Sequence, residues 1–70
     1  MEQEILSVKM YEETKKGYSV FSGEPVTIIG EQVAKLEDGR EVEQYLYHID
    51  TYTAKNGQPF VALKVNISVN

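Results

Sequence analysis

The chain has a single histidine, His48, which lies two residues before an acid, Asp50. A carboxylate beside an imidazole can help the ring act as a general base. Such a pair needs a nucleophile to activate, and no serine or cysteine stands at a spacing that would provide one. We therefore interpret both residues as polar members of a strand, with His48 opposite Lys64 and Asp50 in a charge pair with Lys64. We expect no enzymatic activity and no catalytic residue.

Acids cluster around a glycine turn, at Glu37, Asp38, Glu41 and Glu43. A calcium loop places its oxygen ligands at fixed offsets, and this run lacks that spacing. Zinc-site spacing and glycine-rich phosphate loops are also missing from the sequence. We therefore predict no metal and no cofactor, and we interpret the acids as a solvated hairpin tip. Their alternative role would be to imitate the phosphates of a nucleic acid.

Aromatic residues are frequent, with five tyrosines and two phenylalanines in 70 residues. Aromatic side chains can stack on nucleobases, but they also build cores and cross-strand pairs. We expect Tyr45 and Tyr47 in the core. Tyr52 and Phe60 are expected to face each other on the outer side of a sheet, where exposed aromatics typically anchor protein interfaces. The candidate protein-binding residues are Tyr52, Phe60, Tyr18 and Tyr11.

The segment after residue 59 has the clearest strand pattern, because every second residue is apolar: Val61, Leu63, Val65, Ile67 and Val69. This alternation predicts a half-buried strand. Asn56-Gly57 marks the preceding turn, and a loop of either two or three residues fits it. A two-residue loop would place His48 and Asp50 on the apolar face, so we choose the three-residue loop, with Gly57 at positive φ.

The chosen loop fixes a register in which Ala54 pairs with Gln58. It then predicts four pairs on the buried face: Thr51 with Val61, Ile49 with Leu63, Tyr47 with Val65, and Tyr45 with Ile67. A slip of one residue would exchange the two faces of the strand. The prediction therefore assigns the apolar side of the last segment to the core.

Earlier in the chain, glycines separate short segments with strand character. Residues 2–16 alternate in a way that favours a strand, although early acids and late lysines leave a helix open. A short strand is predicted over residues 18–21 and a longer one over residues 26–36, where Gly30 is the expected bulge. A turn at Gly39 is predicted to pair Lys35 with Glu41 and Ala34 with Val42.

Composition predicts a single small domain over residues 1–70 with no disulfide framework, because the chain has no cysteine. The N-terminal residues are acidic rather than basic, and no apolar run approaches the ~20 residues of a membrane span. We therefore expect a cytoplasmic protein that does not enter membranes. A net charge of −4 disfavours nonspecific attraction to nucleic acid. The same acidic, compact character suggests a phage origin.

Sequential strands with tight turns predict an all-β fold: a five- to six-stranded antiparallel meander curled into an SH3-like barrel. An OB-like barrel and a sheet with one N-terminal helix are the alternatives. We consider three functions. The leading one is a non-enzymatic protein-interaction module that docks on another protein, with homo-oligomers also possible. The second is an acidic inhibitor that mimics DNA, and the third is a binder of single-stranded nucleic acid, which the charge makes the weakest of the three.

Overall fold

The computed structural model describes residues 3–52 and 57–70, and strands make up most of them. The strands are β1 (Glu4–Ser19), β2 (Pro25–Lys35), β3 (Glu41–Ile49), β4 (Phe60–Leu63) and β5 (Ile67–Val69). A single 3₁₀ turn (Lys64–Asn66) joins β4 to β5. The predicted all-β class is confirmed, and the ambiguous N-terminal segment is a strand. The separate strand predicted over residues 18–21 is wrong, since β1 continues without a break to Ser19.

The five strands form one antiparallel sheet in the order β4-β3-β2-β1-β5. β4 and β5 are the two edges of this sheet, yet only the 3₁₀ turn separates them along the chain. The sheet must therefore curl until its edges approach each other, which buries one face. The result is a curled half-barrel, compatible with the predicted small SH3-like barrel.

The core lies inside this curl and is small. Val26 and Ile28 of β2 are fully buried, and Ile67 of β5 packs with them. Partly buried side chains surround these three: Tyr11, Tyr45, Tyr47, Ile49 and Ala62. The prediction that Tyr45 and Tyr47 pack into the core is confirmed.

The hairpin between β2 and β3 has the predicted register. Lys35 lies opposite Glu41, and Ala34 lies opposite Val42. Gly39 has a φ of 91°, a value that glycine adopts at no steric cost. The pairing shifts by one residue between Ile28 and Gly30, so the bulge expected at Gly30 is also confirmed.

The register predicted between β3 and β4 is wrong by several residues. Tyr47 lies opposite Phe60 and Tyr45 opposite Ala62, rather than opposite Val65 and Ile67. The chain leaves the sheet at Asp50, whose backbone N–H donates to the carbonyl of Pro25 at 3.0 Å. β3 ends at Ile49, where the N–H of Tyr52 donates to the carbonyl of Ile49 at 3.1 Å and turns the chain out of the strand. The predicted pairs of Thr51 with Val61 and of Ile49 with Leu63 therefore do not form.

The turn that set that register lies partly outside the described residues. The predicted pairing of Ala54 with Gln58 involves this part, because residues 53–56 are outside the described ranges. Gly57 is described, and its φ of 72° confirms the left-handed conformation predicted for it.

The last segment is not one continuous strand with a buried side. The 3₁₀ turn interrupts the alternation between Leu63 and Ile67, and only Ile67 is buried. The other members of the predicted apolar face are exposed: Val61, Leu63, Val65 and Val69. The prediction failed because a period-two pattern continues through a short turn that the pattern itself does not reveal.

Candidate functional site

An aromatic patch lies where β4 begins, and we define it as Tyr47, Tyr52 and Phe60. The ring of Phe60 is 5.9 Å from that of Tyr52 and 5.8 Å from that of Tyr47, measured between centroids. Both pairs are tilted, an arrangement that aromatic quadrupoles favour. Tyr52 is 56% exposed, whereas Tyr47 packs against the core. The predicted Tyr52–Phe60 contact is therefore present, and Tyr47 connects it to the interior.

The two other tyrosines predicted as binding residues lie elsewhere. Tyr18 is in β1, across from Pro25 on one side and Ser68 on the other, and is 44% exposed. Tyr11 belongs to the cluster around the core, and its hydroxyl donates a hydrogen bond to Glu31. The structure thus brings Tyr52 and Phe60 together but does not bring Tyr11 or Tyr18 to them.

Tyr11 is part of a polar network that ties three strands to the 3₁₀ turn. Its acceptor Glu31 also pairs with Lys64 at 3.3 Å, and Lys64 reaches Glu43 at 3.2 Å. The Lys64 ammonium lies 5.2 Å from the centroid of the Tyr45 ring, a cation–π arrangement. The sequence predicted that Lys64 would lie opposite His48 and form a charge pair with Asp50. Lys64 instead takes part in this network, so neither predicted contact forms.

Contacts within the same network shift the pKa values of its members. Burial, followed by donation to Glu31, raises the pKa of Tyr11 above its ordinary value of 10.0. The Tyr11 hydrogen bond, followed by those from Lys64, lowers the pKa of Glu31 below 4.5. Burial would lower the pKa of Lys64, but the carboxylates of Glu43 and Glu31 outweigh it and raise that pKa. Each shift favours the form that keeps the network intact.

The predicted acidic tip is partly neutralised by its own neighbours. Asp38 accepts hydrogen bonds from the backbone N–H of Arg40 at 3.0 Å and from its Nε at 2.7 Å. The backbone contact comes first in lowering the pKa of Asp38. Glu43 pairs with Lys64, and Glu41 lies across from Lys35. No ion pair is described for Glu37 or Glu41, so two of the four carboxylates at the tip are paired within the chain and two are not.

His48 and Asp50 serve different contacts in the structure. His48 lies opposite Thr27 in the β2–β3 ladder. Asp50 accepts a hydrogen bond from the Thr27 hydroxyl at 2.6 Å and pairs with Lys16 at 3.2 Å. The Thr27 hydroxyl, followed by Lys16, lowers the pKa of Asp50. Asp50 therefore helps to hold β1, β2 and the end of β3 together.

The two most exposed large apolar residues lie in segments that were predicted to be strands. Phe21 is 83% exposed and Val65 is 80% exposed. The backbone beside each of them is joined to the other, since the N–H of Val20 donates to the carbonyl of Asn66 at 2.9 Å. The adjacent Ser22-Gly23 turn was the available signal that Phe21 belongs to a loop. Val65 gave no such signal, since it fits the alternation.

Among residues 3–52 and 57–70, no group of three or more histidine, cysteine, aspartate or glutamate side chains could hold a metal ion. In the same part of the chain, no helix is long and apolar enough to cross a membrane. Comparison with protein-family models, with curated protein sequences and with solved structures finds no match for this chain. Its function therefore has to be inferred from its own surfaces.

Proposed function

We propose that this protein is a non-enzymatic interaction module that docks on another protein through the aromatic patch. The observation that carries the proposal is that the exposed ring of Tyr52 contacts Phe60, which also contacts Tyr47. Exposed tyrosines and phenylalanines that are held rigidly bury much area at little entropic cost, which makes them frequent interface anchors. We place the module in the cytoplasm, a reducing compartment where a chain without cysteine loses nothing.

The support of the patch by the core favours this proposal. Phe60 contacts Tyr47, and Tyr47 packs against the cluster of Val26, Ile28 and Ile67. A binding residue anchored in this way is already ordered before the partner arrives, so less side-chain entropy is lost on binding. Tyr52 alone would be an ordinary exposed tyrosine; its contact with an anchored ring makes it a candidate hot spot.

The DNA-mimic alternative receives less support from the geometry. A mimic needs carboxylates arranged without their own counter-charges, but Asp38 and Glu43 each pair with a cation of the same chain. Such exposed pairs are weak, yet they reduce the negative potential that would imitate phosphates. No observation favours the binding of single-stranded nucleic acid.

The proposal is tested by comparing variants in partner capture. The wild-type chain, Tyr52→Ala and Tyr18→Ala would be used to capture proteins from an extract of the native source, and a protein retained by the wild type would then be purified. We expect Tyr52→Ala and Phe60→Ala each to weaken its binding by about 2 kcal/mol or more, roughly 30-fold in Kd. Tyr18→Ala is the matched control, because it removes an exposed tyrosine outside the patch.

Two results would contradict the aromatic-patch proposal. Equal losses for Tyr18→Ala and Tyr52→Ala would show that the patch has no special role. Unchanged binding in Tyr52→Ala, with a strong loss on Glu41→Lys combined with Glu43→Lys and on added salt, would instead support the mimic. Phe21→Ala should be measured alongside, because a loss there alone would move the docking surface to the β1–β2 turn.

A further inference from the structure

One edge of β1 has no strand beside it over much of its length. β2 pairs with β1 on one side, over residues 4–10 and again over residues 15–18 of β1. On the other side, β5 pairs with β1 only over residues 17–19. Among the described residues, no strand pairs with residues 4–10 on this side, and we call that stretch the open edge. The backbone N–H and C=O groups along such an edge are a template for another strand.

The open edge is exposed on both sides of the sheet. Every residue from 3 to 10 is exposed, whereas every second residue of β2 from Val26 to Ala34 is buried. Large apolar side chains of the open edge are between 42% and 55% exposed, at Ile5, Leu6, Val8 and Met10. A strand beside this edge would therefore remove apolar area from water as well as pair the backbone.

A bulge at Leu6 decides which side chains of the open edge lie on the same side of the sheet. Glu4 lies opposite Lys35, and Lys9 lies opposite Glu31. Because positions 31 and 35 of β2 share one side, Glu4 and Lys9 share it too. Residues five positions apart point to opposite sides of a regular strand, so the extra residue of the bulge brings this acid and this base together.

The apolar residues of the open edge lie on the other side. Ile5 lies opposite Ala34, and Val8 lies opposite Gln32. Positions 32 and 34 of β2 also share one side, so Ile5 and Val8 point the same way. The open edge thus has an acid and a base on one side and two apolar residues on the other, with the bulge between the members of each pair.

We propose that a second copy of this chain pairs with the open edge, so that two copies form a symmetric dimer with one continuous sheet. The two β1 strands run antiparallel about a two-fold axis between residues 6 and 7. Glu4 of each copy then faces Lys9 of the other, and Ile5 faces Val8. The interface has two charge pairs on one side of the sheet and two apolar pairs on the other, and cross-strand pairs of both kinds stabilise sheets.

The charges of the open edge argue for this occupant. Neither Glu4 nor Lys9 forms a salt bridge among the described residues. In the dimer, four charges of alternating sign follow one another across four strands, in the order Lys35, Glu4, Lys9 and Glu31, with the first two from one copy and the last two from the other. A strand of another protein would match only if it had an acid and a base at the same spacing, which a second copy always has.

The dimer does not rest on the proposed docking function. The aromatic patch contains residues of β3, of β4 and of the segment between them, and β2 separates β1 from β3 in the sheet. Pairing of the open edge leaves that patch uncovered, so either proposal can fail alone.

The test is the mass of the protein in solution, measured by analytical ultracentrifugation at increasing concentration. We expect the wild type to reach twice 8.0 kDa. Glu4→Lys and Lys9→Glu should each weaken the dimer about tenfold or more, because each turns two attractive pairs into two repulsive ones. Both variants should keep the circular dichroism spectrum of the wild type, since both side chains are exposed.

An equal mixture of the two variants tests the register itself. In a mixed dimer each introduced charge meets the opposite introduced charge, while Lys9 of one chain still meets Glu4 of the other. The mixture should therefore regain about the wild-type affinity. Glu24→Lys is the matched control, because it makes the same change of charge at an exposed position in the turn after β1, and it should dimerise as the wild type does.

A control mixture excludes a general effect of charge. Lys9→Glu mixed with Glu24→Lys has the same two net charges as the first mixture, but one of its two charge pairs is repulsive, so fewer mixed dimers should form. A wild type that stays monomeric at every concentration overturns the proposal, as does loss of the dimer in Glu24→Lys. A mixture of Glu4→Lys and Lys9→Glu that dimerises no better than its components overturns it too.

A second measurement does not depend on the charges. The chain has no cysteine, so Ile5→Cys and Val8→Cys each carry one thiol. Position 5 of one copy lies opposite position 8 of the other, so mild oxidation should join the two variants in a mixture faster than it joins either variant to itself. Equal rates in the mixture and in the separate variants would contradict the proposed pairing.

Discussion

Tyr11, Glu31 and Lys64 show how a few polar contacts can hold a small half-barrel together. Tyr11 comes from β1, Glu31 from β2 and Lys64 from the turn before β5, so the network joins segments that are far apart in sequence. The Tyr11–Glu31 bond is partly buried, where hydrogen bonds to a charged acceptor contribute more than at the surface. Stability should therefore respond to the protonation of these residues.

We predict that stability declines at both ends of the pH scale. The pKa of Glu31 is lowered, so its contribution is complete above 4.5 and is lost as the pH falls through the folded-state pKa. The pKa of Tyr11 is raised, so its contribution is complete below 10.0 and is lost as the pH rises above that value. The pKa of Lys64 is also raised, from 10.5, so loss of its charge adds to the decline in stability at alkaline pH.

Urea unfolding at a series of pH values would check this prediction. Glu31→Gln should give a shallower acid decline than the wild type, and Tyr11→Phe a shallower alkaline one. Both variants should be less stable at neutral pH, because Tyr11→Phe removes the hydrogen-bond donor and Glu31→Gln removes the charge that strengthens this bond and pairs with Lys64. Parallel curves for wild type and variants would show that these groups do not link folding to pH.

Two substitutions to alanine test whether stability depends on the observed core or on the apolar alternation of the last segment. Ile28 is fully buried, so Ile28→Ala should lower the free energy of unfolding by about 2–5 kcal/mol. Val65 is 80% exposed, so Val65→Ala should change it by no more than about 0.5 kcal/mol. The alternation in the sequence predicts a substantial cost for Val65→Ala, and urea unfolding of the two variants decides between the pattern and the structure.

At the scale of the elements, the two hairpins show what the sequence can and cannot predict. The β2–β3 register was predictable because the turn at Gly39 determines it locally, and Leu36 and Arg40 close the turn with a backbone hydrogen bond. The end of β3 depends instead on Pro25, Lys16 and Thr27, which contact Asp50 from other strands. A local turn also forms there, closed by the N–H of Tyr52 on the carbonyl of Ile49, but residues 49–52 contain no glycine or proline that would mark it in the sequence.

The candidate site divides in the same way. The Tyr52–Phe60 contact was predicted, but from a register that places the two residues opposite each other on the outer face; in the structure Phe60 lies opposite Tyr47, on the side of the core. The support from Tyr47 was not predicted, since it follows from the register that the structure corrected.

Close approach of β1 and β5 gives a prediction at this scale. A Cβ on Gly17 would collide with the backbone carbonyl oxygen of Ser68, which cannot move unless β5 moves. Gly17→Ala should therefore cost about 3 kcal/mol, the upper end for overpacking. Gly39→Ala is the control: its Cβ meets nothing within 4 Å, so only the positive φ costs, about 1 kcal/mol. Equal losses in urea unfolding would contradict the close approach.

At the scale of the whole molecule, closure of the sheet depends on its shortest strand. β5 has three residues, yet it supplies Ile67 to the core and pairs with β1 from Gly17 to Ser19. Asn70 adds a backbone hydrogen bond to Lys16 at 2.9 Å. Without β5, the other four strands could still pair, but the core would lack Ile67.

We predict that a chain cut after Asn66 does not fold. It would expose Val26 and Ile28 and leave the Gly17 edge of β1 unpaired, which a core of this size cannot tolerate. A chain that lacks Asn70 alone should fold with a small loss. The near-ultraviolet circular dichroism of the tyrosines and the thermal melting curve would distinguish the two. A cooperative melt of the shorter chain would show that β5 is not needed.

The position of Ile67 has a consequence for synthesis on the ribosome. When β2 has been made, Val26 and Ile28 are present, but their core partner belongs to a strand translated much later. Local hairpins can form meanwhile, whereas the core must wait until the chain has grown past Val69. A ribosome that stalls before that point holds a nascent chain with exposed apolar side chains and a free strand edge, the kind of species that chaperones bind and that aggregates when they do not.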